Sequence, residues 1–122
     1  MSDQLSLFEG LDGTQPGDTT EDRNRVGDPL TWDEACHHIG QLIWYQTIMQ
    51  SMTYWTAVIP EKRLTKAIPF YTHDGEKINV EMSDRLLCFD GTRQRLLIDE
   101  HFCTGEYRYP EGSAFFAMRD ST

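Results

Sequence analysis

The chain is short of bases, of paired cysteines and of long apolar runs, and each shortage removes a class of protein. Eleven Lys and Arg stand against twenty Asp and Glu, a formal charge of −9 over 122 residues. Gripping duplex DNA takes clustered Lys and Arg, and the one notable basic group, Lys62, Arg63 and Lys66, reads as a solvated loop. Direct duplex binding is therefore not expected, although an acidic mimic of DNA is compatible with this balance. Cys36, Cys88 and Cys103 are an odd set with no CxxC pair, which suits a reducing compartment better than a disulfide framework. No apolar stretch approaches the roughly 18 to 20 residues that span a bilayer. The N-terminus also lacks the basic and apolar regions of a signal peptide, so a cytoplasmic location away from the membrane is expected.

Catalytic signatures are missing as well: there is no P-loop, GxSxG, HExxH or Rossmann glycine pattern. The most reactive-looking residues are Asp99, Glu100, His101 and Cys103, with Cys36, His37 and His38 far away in sequence. Cys36, His37, His101 and Cys103 make a conceivable zinc set, because thiolate and imidazole suit that metal. The double pair of structural zinc modules is absent, however, and a Cys–His nucleophile needs an orienting group and an oxyanion hole that spacing does not reveal. The expectation is a protein without cofactor or metal that is not an enzyme.

What is present suffices for one domain, since 39% of the residues are apolar. Residues 1–29 carry seven acids and two arginines, or −5, leaving −4 for the remainder. From Glu9 to Pro29 the chain offers Gly, Pro, Asp and Thr with few large apolar residues, a composition that reads as a flexible linker. A coil of twenty residues reaches about 25 Å. The expected division is a flexible acidic tail, 1–29, and a single folded domain, 30–122.

Thr31 and Glu34 form a capping box with Asp33 beside them, so a helix is expected to start there. Trp32, Ala35, Cys36, Ile39, Leu42, Ile43, Met49 and Met52 recur at three-and-four spacing, which predicts an amphipathic helix from Thr31 to about Ser51. Beyond Pro60 the dipeptides Asp74-Gly75, Asp90-Gly91 and Glu111-Gly112 each separate strand-like runs and predict three hairpins in a six-strand antiparallel meander. The expected fold is α+β, one N-terminal amphipathic helix packed on an antiparallel β-sheet of hairpins. Trp44, Tyr45 and Trp55 widen the helix's apolar surface beyond one stripe, so they are expected to meet a second protein.

Ahead of the tail stand Gln4, Leu5, Ser6, Leu7 and Phe8. This run resembles, at all five positions, the short peptide with which many bacterial proteins dock onto the DNA sliding clamp. Leu7 and Phe8 suit an apolar pocket, and the Gln4 amide offers donors and an acceptor to its rim. The resemblance implies an accessory or inhibitory protein of DNA replication, of the kind carried by a phage or mobile element, with the clamp as partner. The competing expectation is an acidic DNA mimic that inhibits a restriction or CRISPR effector.

Overall fold

In a computed structural model of the protein, the described residues are 13–65, 67–81, 84–100, 103 and 113–119. They form strands β1 (Thr19–Thr20), β2 (Val26–Leu30), β3 (Ile43–Met49), β4 (Met52–Leu64), β5 (Ala67–Tyr71), β6 (Lys77–Glu81), β7 (Arg85–Phe89), β8 (Leu96–Asp99) and β9 (Phe115–Met118), with one α-helix, α1 (Trp32–Cys36). The expected α+β class is thereby corrected: the described residues are mostly strand and contain no helix of seven or more residues. None of their helices is long and apolar enough to cross a membrane.

The capping box exists, with Thr31 Oγ1 accepting from Glu34 N and Glu34 Oε1 accepting from Thr31 N, but the helix it opens lasts five residues. The Nδ1–H groups of His37 and His38 donate to the carbonyls of Asp33 and Glu34, each at 2.7 Å, and so cap the helix end. Gly40 then turns the chain at φ +82° and donates to Pro60 O. From Ile43 onward the residues are β-branched and aromatic, and they alternate instead of recurring every third or fourth place. The register Ile43↔Val58, Trp44↔Ala57, Gln46↔Trp55 and Met49↔Met52 closes a tight hairpin on Gln50 and Ser51, both at positive φ. That geometry is a type I′ turn. The three-and-four spacing arose because both faces of β3 are apolar.

The main sheet runs β2-β9-β3-β4-β7-β8, with β1 added on β4. The hairpins expected at Asp74-Gly75 and Asp90-Gly91 are present as β5–β6 and β7–β8. The six-strand meander is not formed, because β9 pairs with β2 and β3, and β5–β6 is a separate two-stranded sheet. Residues 106–109, the first arm of the third expected hairpin, lie outside the described residues.

One face of the sheet carries Leu30, Ile43, Val58, Leu86, Cys88, Ile98 and Phe115, closed over by Trp32 and Ala35 of α1. The other carries Val26, Trp44, Trp55, Ala57 and Phe116. It is covered by the segment that the sequence presents as a linker. Ala57 exchanges backbone hydrogen bonds with Gly17 and Asp18, and Thr19 and Thr20 pair with Thr56 and Trp55. Arg23 lies 5.1 Å over the Phe116 ring, and Arg25 lies 5.9 Å over Trp44 while donating to the buried Thr14 hydroxyl. From Gly13 onward, then, residues expected to be a flexible linker belong to the folded body, and the expected boundary at 29/30 falls inside β2.

Candidate functional site

The sequence placed a partner surface on Trp44, Tyr45 and Trp55. Trp44 is fully buried, Trp55 is 4% exposed, and Tyr45 is half-buried with its ring 5.4 Å from that of Phe115. The sheet is covered here on both faces, by α1 on one and by residues 14–26 on the other, so these aromatics are core and the surface assigned to them is corrected. The clamp-like peptide Gln4, Leu5, Ser6, Leu7 and Phe8 lies outside the described residues.

The candidate zinc residues are not brought together as a set. His37 is exposed on the end of α1 with Nδ1 committed to a carbonyl, Cys36 is half-buried, Cys103 is buried, and His101 lies outside the described residues. Among the described residues no three His, Cys, Asp or Glu are grouped to hold a metal ion. Burial pushes the Cys88 and Cys103 thiols up to about 12, and it raises Cys36 as well, so none of the three is poised as a thiolate.

Exposed apolar side chains gather at two protrusions instead. At the β3–β4 turn, Met49 and Met52 face each other across the ladder, 56% and 55% exposed. On the β5–β6 arm, Phe70 is 59% and Tyr71 66% exposed, with Ile78 directly opposite Phe70. The base of this arm is pinned by Asp84, which accepts hydrogen bonds from Thr65 Oγ1 and from both Nε and an Nη of Arg63. These bonds, Thr65 first and Arg63 next, hold the Asp84 carboxyl below its ordinary value. Arg63 also lies 3.7 Å from Asp33, linking the arm's base to α1.

A third feature is an open groove of about 440 Å³ lined by Gln15, Pro16, Ile59, Glu61, Phe89, Gly91 and Arg95. Ile59 opposes Phe89 in the ladder, on the same face of β4 as Trp55 and Ala57. The groove is thus the uncovered continuation of the face that residues 14–26 cover elsewhere. Arg95 stacks 4.7 Å over the Phe89 ring and pairs with Glu61 at 2.5 Å, leaving apolar floor between charged walls. At its end two backbones cross so closely that a Cβ on Gly17 would sit 2.5 Å from Asp90 O and one on Gly91 2.6 Å from Pro16 O. Both residues have positive φ, so glycine is required there twice over. The signal missed in the sequence was β7, Arg-Leu-Leu-Cys-Phe, whose two faces are both apolar.

No family model, curated protein or solved structure matches this chain.

Proposed function

We propose that this chain is a non-enzymatic accessory or inhibitory protein that docks on a bacterial sliding clamp through Gln4, Leu5, Ser6, Leu7 and Phe8 and presents its β-sheet body to a second protein. The observation that carries the reading is the five-residue match itself, standing immediately ahead of a folded body. Thr14 is already buried, so only six chain steps separate Phe8 from the body. Fully extended they span at most about 21 Å, which would keep the body against the clamp face. A contact of so few residues is weak by itself, and avidity from a second contact favours the exposed apolar arm, Phe70, Tyr71 and Ile78, for that role.

The DNA-mimic reading has less support. It needs free carboxylates in rows, whereas Asp84, Asp99 and Glu61 are engaged by Arg63, Arg85 and Arg95.

Titrating the purified chain onto a bacterial clamp tests the proposal, with micromolar dissociation expected from so small a surface. Replacing Leu7 and Phe8 by Ala removes two anchors worth about 1.5 to 3 kcal/mol each, so binding should be lost. Equal affinity of the wild type and the double variant would sink it.

A further inference from the structure

We infer that the outer edge of β6 is a self-pairing surface, on which β6 of a second copy of this chain adds antiparallel about a two-fold axis through Asn79. The pairing uses a backbone edge of the arm and stands apart from whatever the N-terminal peptide binds.

The hydrogen-bond pattern of the arm decides which of its groups face outward. Thr72 N donates to Glu76 O at 2.8 Å, and in an antiparallel pair the bonded positions recur at every second residue. Carried along the register, they fall at Phe70↔Ile78 and Ile68↔Val80, whereas Tyr71↔Lys77, Pro69↔Asn79 and Ala67↔Glu81 are the non-bonded pairs. The backbone N–H and C=O of Lys77, Asn79 and Glu81 therefore point away from β5. Pro69 agrees with this phase, because proline in a sheet is accommodated where its missing N–H would face outward. The same proline spoils the outer edge of β5, which lacks a donor there, so β6 is the edge of the arm with a complete row. On that side β8 stops at Asp99, opposite Arg85, and no described strand lies along β6.

The sequence of β6, Lys-Ile-Asn-Val-Glu, is complementary to itself when reversed. Centred on Asn79, antiparallel pairing sets Lys77 of each copy opposite Glu81 of the other, Ile78 opposite Val80, and the two Asn79 residues opposite one another. Opposite charges and apolar residues at directly opposed positions are what favour a cross-strand register. Lys77, Asn79 and Glu81 are also the outward positions, so each opposed pair in that row exchanges two backbone hydrogen bonds. Bonding phase and charge pattern thus select the same axis. Ile78 and Phe70, 43% and 59% exposed, share one face, and in the joined sheet that face runs on across both copies. Two strands alone are marginal, whereas four supporting one another are not. Antiparallel pairing carries the bodies to opposite ends of the joined arms, which holds two chains of −9 each apart.

Sedimentation velocity and amide hydrogen exchange of the full chain test the pairing, in salt of about 0.15 M to screen repulsion beyond about 8 Å. So short an edge buries well under the roughly 1,200 Å² of a standard interface, and a dimer with a dissociation constant on the order of 100 μM is expected. The amides of Lys77, Asn79 and Glu81 should gain protection as concentration rises, whereas those of Ile78 and Val80, which face β5, should be protected throughout. Asn79→Pro removes the central outward N–H without touching a bond to β5, as Pro69 already does on the other strand, and should leave a monomer. Lys77→Glu should weaken the dimer about tenfold by opposing like charges twice, and Lys77→Glu/Glu81→Lys should restore it. Should Asn79→Pro also expose the Ile78 and Val80 amides, the charge exchange alone decides. A chain that stays monomeric up to about ten times the expected dissociation constant overturns the inference. So does a dimer indifferent to the charge substitutions, or protection of the three outward amides that does not change with concentration.

Discussion

Single residues carry two separable kinds of chemistry in this protein, buried thiols and a staple of polar groups at the surface. Asp84 is the centre of the staple, and its depressed carboxyl gives stability a definite pH dependence. A carboxyl whose folded value lies below the ordinary 3.8 contributes stability in full above that value and loses it as pH falls through the lower folded value. Asp84→Asn should therefore lower the denaturation midpoint at pH 7 and have a smaller effect near pH 2, which urea unfolding at the two pH values measures. The thiols behave oppositely: pushed up to about 12 by burial, Cys88 and Cys103 are protonated at neutral pH. Iodoacetamide at pH 7.5 should label half-buried Cys36 first, with Cys88 and Cys103 modified only on unfolding; rapid labelling of all three would contradict the burial.

Among elements, the β3–β4 hairpin is the one whose local chemistry is least suited to its shape. A type I′ turn asks for positive φ at both central residues, and here they are Gln50 at 50° and Ser51 at 67°, not Asn and Gly. Ser51→Gly should stabilise the protein by about 0.5 kcal/mol, while Ser51→Val should cost about 1 to 2 kcal/mol because a β-branched side chain resists the left-handed region. Thermal melts of the two variants should move in opposite directions. The β5–β6 arm is the converse case, with sound turn chemistry at Asp74-Gly75 but few partners for its exposed apolar side chains. Two strands alone are marginal, so the arm depends on the Asp84 staple at its base.

At the scale of the whole molecule, the N-terminal segment acts as a second layer. It covers Trp44, Trp55 and Phe116, which would otherwise lie open on the outer face of the sheet. Amide hydrogen exchange should consequently find the Gly17 and Ala57 amides protected to a similar degree, since Gly17 donates to the Ala57 carbonyl and Ala57 donates to the Asp18 carbonyl across the same seam. Fast exchange of both amides while the β3–β4 ladder stays protected would show the layer peeling away on its own. Its attachment also shortens the expected tether from about twenty residues to six chain steps, bringing any docked partner close to the body.

Local instructions were legible in the sequence because they act over a few residues: the Thr31–Glu34 capping box and the Asp74-Gly75 and Asp90-Gly91 turns. The fate of Ile43 to Met49 was not local. Apolar residues on both faces fit a buried strand and a two-sided helix alike, and only pairing with β4 on one side and β9 on the other selects the strand. The stretch from Gly13 to Pro29 likewise looked too polar to order itself, and by its own burial it is. What orders it is an apolar sheet face formed by residues far along the chain, against which Arg23 and Arg25 lay their guanidinium groups and Gly17 its backbone. Composition measures what a segment can bury of itself; the tertiary structure decides what it is given to cover.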